Sequence, residues 1–260
     1  MPIYDPEHVE YATISGRVGI VTDSGATLPA YWAHPDMSGC FPAVALLHDW
    51  WGITAVERRL ANLFAGMGYY VLIPDLFQGR TASTPAEALQ LVGAANDLGF
   101  AYVDTALAAL ESHHRTNGNV AAVGLGIGGS LAFEAAIKRG DLEAAVACYG
   151  FPDRYLGKLG DANTPILAIY GANEPHVKRQ QIERLRAELS AAGAARGLAH
   201  EVVVLAGVGR EFFTDHSRPE ALSAGRIAIA RLLAFVERFV GMPARGAGGC
   251  ADPASGGSAG

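Results

Sequence analysis

The sequence contains few cysteines, no excess of basic residues and no long apolar run. Cys40, Cys148 and Cys250 lie far apart without CxxC or Cys/His spacing, so the pattern indicates neither a disulfide framework nor a metal site, and three free thiols are expected. Twenty basic against 26 acidic residues give a net charge of −6, which argues against nucleic acid or an anionic membrane as the partner. The N-terminus lacks a signal-peptide pattern, and no apolar run approaches the roughly 18 residues of a membrane span, so a cytoplasmic protein is expected.

What the chain does contain is a repeated alternation of short apolar runs with longer amphipathic segments. The runs, bounded by turn residues, predict buried strands at 43–48, 69–73, 120–124, 144–149, 165–170 and 202–205. The i, i+3, i+4 spacing between them predicts helices at 55–66, 85–113, 128–139, 177–192 and 219–239. This alternation is typical of an α/β fold, with a mainly parallel sheet covered by helices on both faces.

The two ends of the chain depart from this alternation. Residues 11–21 and 28–34 alternate in polarity around a turn at 23–25, which predicts an antiparallel hairpin at the edge of the sheet. The last 20 residues are almost all Gly, Ala, Ser and Pro, a composition that cannot bury enough surface to offset chain entropy. The sequence therefore predicts one domain over residues 1–240 and a disordered tail over residues 241–260.

The most specific motif is the glycine-rich segment Gly124-Leu-Gly-Ile-Gly-Gly-Ser130, which follows an apolar run and opens a helical pattern. A Rossmann phosphate loop is one interpretation, but a lone G-x-G-x-x-G is weak and no acidic residue follows at the required distance. The other interpretation is the strand-turn-helix of a nucleophile elbow, with Gly124 and Gly128 as its flanking glycines. The nucleophile position would then be Gly126.

Nearly the whole ordered part of the chain resembles the dienelactone hydrolase family of α/β-hydrolases. The resemblance rests on LLHDWWG, GYYVLIPDLF, GLGIGGSLAF and two later loops, which are residues 46–52, 68–77, 124–133, 171–177 and 207–213. It implies an α/β-hydrolase fold and an activity related to that of carboxymethylenebutenolidase. It also implies where the site residues lie, and several of those positions depart from the family's pattern.

Residue by residue, the resemblance sets Gly126 at the cysteine nucleophile, Glu174 at the aspartate, Arg210 at the histidine and Asp49 at a glutamate of the early loop. Glycine has no nucleophile, and arginine stays protonated near neutral pH, so acyl-enzyme hydrolysis by these residues is excluded. The family's oxyanion hole is made of backbone N–H groups, which the resemblance places at Trp50 and Ile127. These groups survive any change of side chain.

Each charged candidate has a structural and a functional interpretation. Arg210 and Glu174 form either an ion pair that holds two loops together or a guanidinium fork for a substrate carboxylate. Asp49 is either a desolvated general base or a carboxylate tied to a nearby backbone N–H. His176 is either a proton donor or acceptor, or a solvated loop residue.

Two functional classes remain open. The first is an enzyme without a covalent step, performing proton transfer, isomerisation, cyclisation or hydration on a small carbonyl, lactone or carboxylate compound through the oxyanion hole. The second is a catalytically silent protein that binds a small ligand or a protein partner. No cofactor or metal is implied, and either a monomer or a homodimer is compatible with the sequence. The remaining substrate-binding candidates are Arg80, Trp51, Tyr149 and Phe212.

Overall fold

A mostly parallel sheet of eight strands organises residues 11–22, 25–95, 98–214 and 217–241, the part of the chain that the computed structural model describes. The strands are β1 (Thr13–Val21), β2 (Thr27–Pro35), β3 (Phe41–Leu47), β4 (Tyr70–Pro74), β5 (Thr116–Leu125), β6 (Ala144–Cys148), β7 (Ile166–Gly171) and β8 (Glu201–Leu205). They lie in the order β1-β2-β4-β3-β5-β6-β7-β8. The β1/β2 and β2/β4 pairs are antiparallel and the other pairs are parallel.

Six helices connect the strands within the described residues. They are α1 (Ala55–Gly66), α2 (Pro85–Ala95), α3 (Gly99–Glu111), α4 (Ile127–Lys138), α5 (Arg179–Arg196) and α6 (Pro219–Val240), and short 3₁₀ helices cover Leu159–Asp161 and Arg210–Phe213. Every residue of β3, β4, β6 and β7 is buried. Because successive side chains of a strand point to opposite faces, the central sheet is covered on both faces.

The observed elements confirm the α/β architecture and the N-terminal hairpin expected from the sequence, although residues 23 and 24 of its turn lie outside the described residues. The prediction of a single helix over residues 85–113 is wrong. The structure instead ends α2 at Ala95 and begins α3 at Gly99. Asn96, Asp97 and Gly99 are weak helix formers in close succession, a signal that the apolar periodicity on either side obscured.

The structure also tests the expectations about free cysteines and about membrane-spanning segments. Cys148 is a free thiol buried in β6, whereas Cys40 is disulfide-bonded, so the expectation of three free thiols is wrong. Among the described helices none is both long and apolar enough to cross a membrane. The predicted tail begins at Gly241, and residues 242–260 lie outside the described residues.

The topology brings the candidate residues to one edge of the sheet. The carboxyl ends of parallel strands meet at the same edge, which is where open α/β sheets bind their ligands. Asp49 follows β3, Gly126 follows β5, Tyr149 follows β6 and Glu174 follows β7. The fifth residue, Arg210, begins the 3₁₀ helix after β8.

Candidate active site

The Asp49 carboxylate lies where two backbone N–H groups converge. Its Oδ1 accepts hydrogen bonds from Trp50 N at 2.7 Å and from Ile127 N at 3.3 Å. These are the two N–H groups that the family resemblance assigned to an oxyanion hole. They bind the protein's own carboxylate, while Oδ2 accepts no hydrogen bond from the described residues.

Gly126 forms the turn between β5 and α4 and leaves room for Asp49. Its φ of 54° lies in the left-handed region that glycine adopts at little cost, and its N–H donates to Cys148 O at 2.9 Å. A Cβ built on Gly126 would come within 1.8 Å of Asp49 Oδ1. The Asp49 side chain therefore occupies the space into which any side chain at position 126 would project.

Burial gives the Asp49 carboxyl group an unusual pKa. Loss of solvation raises its pKa from 3.8 to about 6, against the opposing influence of the Trp50 N–H, the Arg210 guanidinium and the Ile127 N–H. Asp49 is only 7% exposed. A carboxyl group that titrates near pH 6 can take up and release protons close to neutral pH, which suits a general base.

His48 fixes the loop that carries Asp49, and sequence analysis did not single it out. The fully buried ring holds Asp49 O at 2.7 Å from Nδ1, and Nε2 accepts from Leu76 N at 3.0 Å. A carbonyl only accepts and an amide only donates, so the proton lies on Nδ1. Burial lowers the pKa of His48, which keeps this neutral tautomer in place. A histidine at the end of a fully apolar strand was the signal available in the sequence.

Glu174 and Arg210 form an ion pair between the loop after β7 and the loop after β8. Glu174 Oε1 accepts from Arg210 Nη2 at 2.6 Å, from Arg210 Nε at 3.1 Å and from His176 N at 3.0 Å. The Glu174 side chain is 1% exposed and that of Arg210 is 18% exposed. Among the residues that the structure describes, none gives the buried Glu174 Oε2 a hydrogen bond. The pair is thus well shielded from water, and one carboxylate oxygen stays available to a donor.

Tyr149 packs against the Arg210 guanidinium. The guanidinium carbon of Arg210 lies 5.4 Å from the centre of its ring and 5.3 Å from that of Phe151. Burial and the nearby Asp49 carboxylate raise the pKa of Tyr149, so its hydroxyl remains protonated. Its φ of 43° is uncommon for a bulky residue. Such strain occurs preferentially at functional sites.

The other candidates lie around this group with different degrees of exposure. His176 is exposed, with its ring 6.4 Å from that of Trp50, which itself packs edge-to-face with Trp51 at 5.1 Å. Arg80 is exposed and donates from Nε to Phe77 O at 3.3 Å within its own turn. Phe212 is 1% exposed and packs edge-to-face on Tyr149. Asp49, Tyr149, Arg210 and Glu174 thus form the polar centre of the site.

The overlap at position 126 predicts strong coupling between Gly126 and Asp49. We expect Gly126→Ala to destabilise the wild-type protein by about 2 to 4 kcal/mol, because backbone strain adds to displacement of Asp49 from its hydrogen bonds. In an Asp49→Ala background only the strain of about 1 kcal/mol remains. A double-mutant cycle from urea denaturation measures the difference. Additive costs would contradict the overlap.

Solved structures share this fold. The crystal structure of a dienelactone hydrolase-like promiscuous phosphotriesterase, P91, from metagenomic libraries aligns with a TM-score of 0.70 at 21% identity, covering 86% of this chain and 98% of that one. A dienelactone hydrolase from Anabaena variabilis aligns with a TM-score of 0.62 at 20% identity, covering 87% and 98%. The fold is that of an α/β-hydrolase.

The family model places the chain within that class. The chain belongs to the dienelactone hydrolase family, whose model matches residues 28–240. A Salmonella typhimurium protein named for carboxymethylenebutenolidase activity is 25% identical over 253 residues, which are 90% of this chain and 91% of that protein. Carboxymethylenebutenolidase 1 of Cupriavidus pinatubonensis is 29% identical over 147 residues, or 53% of this chain and 62% of that protein.

Proposed function

We propose that this member of the family is an enzyme that acts without a covalent intermediate, with Asp49 as its general base. The single observation that supports it most is the anchoring of Asp49 Oδ1 by two N–H groups in the space left by Gly126. In this proposal glycine at the elbow and arginine at position 210 replace the nucleophile and the base of an acyl-enzyme mechanism. The two N–H groups hold the base instead of a substrate oxygen.

Asp49 Oδ2 is the atom that would exchange a proton with substrate. Its partner oxygen is fixed, it accepts no hydrogen bond from the described residues, and the carboxyl pKa is about 6. At neutral pH the carboxylate form therefore predominates, and its desolvation favours taking up a proton. Removal of a proton beside a carbonyl group leaves an electron pair that moves onto the carbonyl oxygen.

Tyr149 is the donor that fits this developing negative charge. Its hydroxyl stays protonated because burial raises its pKa, and it makes no hydrogen bond to the described residues. Arg210 adds positive charge beside the same ring. A donor and a cation positioned before reaction stabilise an enolate without reorganisation. The substrate class proposed is a small carbonyl, lactone or carboxylate compound, and the product follows from return of the proton to the same or another atom.

A silent binding protein is the second candidate. The observation that favours it is that Asp49 Oδ1 already accepts the N–H groups of Trp50 and Ile127. These two donors are therefore occupied and do not bind the oxygen of a substrate. In that case the protein binds a small molecule or a protein partner and removes no proton from it. The two candidates differ in one measurable property, the exchange of carbon-bound protons with solvent.

Proton exchange in D₂O tests the proposal without knowledge of the product. A panel of small ketones, lactones and 2-oxo acids is incubated with the protein, and loss of the proton beside the carbonyl is followed by NMR. We expect exchange that rises with pH around a midpoint near 6. In Asp49→Asn it should fall by about 10²- to 10⁴-fold, the usual contribution of a positioned base.

Asp75→Asn is the matched control, because Asp75 is also a buried aspartate whose oxygens accept backbone N–H groups, from Phe77 and Gly79. It should retain the exchange. Wild-type protein that binds members of the panel but exchanges none of their protons between pH 5 and 9 would overturn the enzyme proposal in favour of the silent one. Equal exchange by Asp49→Asn would reject Asp49 as the base.

A further inference from the structure

A separate cavity of about 200 Å³ lies beside the candidate active site, between α2, α4 and the loops after β4 and β6. Its walls are mainly apolar and include Leu76, Phe77, Val92, Leu131 and Phe151. An apolar cavity of roughly 150 Å³ is large enough to take up benzene. This one can therefore hold one aromatic ring or a short alkyl chain.

The two hydroxyl groups in the described wall are already satisfied by the protein. Ser130 Oγ accepts from Phe151 N at 2.9 Å, and the Tyr155 hydroxyl donates to Glu134 Oε2 at 3.0 Å. Inside the cavity a ligand group consequently finds neither of these hydroxyl groups unpaired. The interior favours a group without polar atoms, because burying an unpaired polar group is costly.

Of the described residues that line this wall, Arg154 is the one with a charged side chain. It is exposed, and among the described residues it has no ion-pair or hydrogen-bond partner. The adjacent Asp153 carboxylate is engaged by Gln181 Nε2, at 2.6 Å and 2.5 Å from its two oxygens. A guanidinium group presents a planar fork that matches a carboxylate. The cavity thus combines an apolar interior with a cationic rim.

We propose that this cavity binds a small amphiphilic carboxylate, with its ring or short chain among Leu131, Val92 and Phe77 and its carboxylate on Arg154. The cavity adjoins the candidate active site through Ile127, which lines the cavity and whose N–H donates to Asp49 Oδ1. Phe151 lies against both the cavity and Arg210. The proposal concerns binding and holds whether or not Asp49 acts as a base.

The test uses 3-phenylpropionate as the anionic probe and 3-phenylpropanol as its uncharged counterpart, with titration calorimetry and methyl NMR of the purified protein. Wild-type protein should bind the carboxylate saturably and shift the methyl signals of Leu131 and Val92. Leu131→Trp, which fills the cavity, should weaken binding of both probes at least tenfold. Val92→Phe fills it from the opposite wall and serves if the first variant fails to fold.

Arg154→Gln separates the charge from the cavity. It should weaken binding of 3-phenylpropionate about 3- to 10-fold, typical for loss of an exposed ionic contact, and leave 3-phenylpropanol unchanged. Arg179→Gln, a change at another exposed arginine, is the control and should change neither. Absence of saturable binding to wild type, unaltered affinity in both cavity-filling variants, or equal loss for both probes in Arg154→Gln would overturn the proposal. Asp49→Asn should bind normally, which keeps this result separate from the exchange assay.

Discussion

Asp49→Asn should stabilise the protein at pH 7 by as much as about 3 kcal/mol, because the carboxyl pKa rises by about two units on folding and each unit corresponds to 1.36 kcal/mol. The folded state binds the proton more tightly than the unfolded state. The contribution of Asp49 to stability is therefore complete below about pH 4, is lost as pH rises to about 6, and stays lost above it. Asparagine does not titrate and retains an oxygen for the Trp50 and Ile127 N–H groups.

Urea denaturation of both proteins from pH 3 to pH 8 measures this effect. The difference in unfolding free energy should be near zero at pH 3 and grow between pH 4 and pH 6. Asp75→Asn provides the comparison. The two oxygens of Asp75 accept from different N–H groups, those of Phe77 and Gly79, so the NH₂ group of asparagine would face one of these donors. We therefore expect Asp75→Asn to lower the free energy of unfolding at pH 7. A constant difference across the pH range would show that Asp49 has an ordinary pKa.

Arg210→Ala should lower the free energy of unfolding by about 3 to 5 kcal/mol, because it leaves the Glu174 carboxylate buried and unpaired. That side chain is 1% exposed, and its Oε2 already accepts no hydrogen bond from the described part of the chain. Glu174→Gln should cost less, since Arg210 keeps partial exposure and its two aromatic neighbours. The loss of positive charge should also move the pKa of Asp49 above 6. Urea denaturation and the pH midpoint of proton exchange measure the two effects.

Arg238→Ala is the matched surface variant. Arg238 pairs with Glu201 at 3.9 Å, and the two side chains are 59% and 39% exposed, so its removal should cost less than about 1 kcal/mol. A loss from Arg210→Ala no larger than this would mean that the buried pair contributes little. The double variant Arg210→Ala, Glu174→Gln should recover part of the stability, because no charge is then left without a partner.

The sequence predicted much of the fold for reasons that are local. Helix α1 matches its predicted bounds, because Thr54 and Glu57 form a capping box and the apolar residues recur at helical spacing. The strands lie within a few residues of the apolar runs. The division between α2 and α3 was not predicted, since periodicity on both sides outweighed the weak helix formers between them.

Only the backbone features of the candidate site could be predicted from the sequence. The turn at Gly126 follows from the strand-turn-helix pattern, whereas the N–H groups of Trp50 and Ile127 were implied by the resemblance to the family. Where the Asp49 side chain points depends on contact with a residue 77 positions further along the chain, and no local pattern records it. The role of His48 and the cavity beside Ile127 depend likewise on contacts between distant segments.

The close approach of position 126 to Asp49 also restricts the order in which substitutions can accumulate. A chain that gains a side chain at the elbow while Asp49 is present carries both backbone strain and a displaced carboxylate. A chain that first shortens Asp49 carries only the strain when position 126 changes later. Any evolutionary or laboratory route that gives this turn a nucleophile is therefore directional, with the change at Asp49 preceding the change at Gly126.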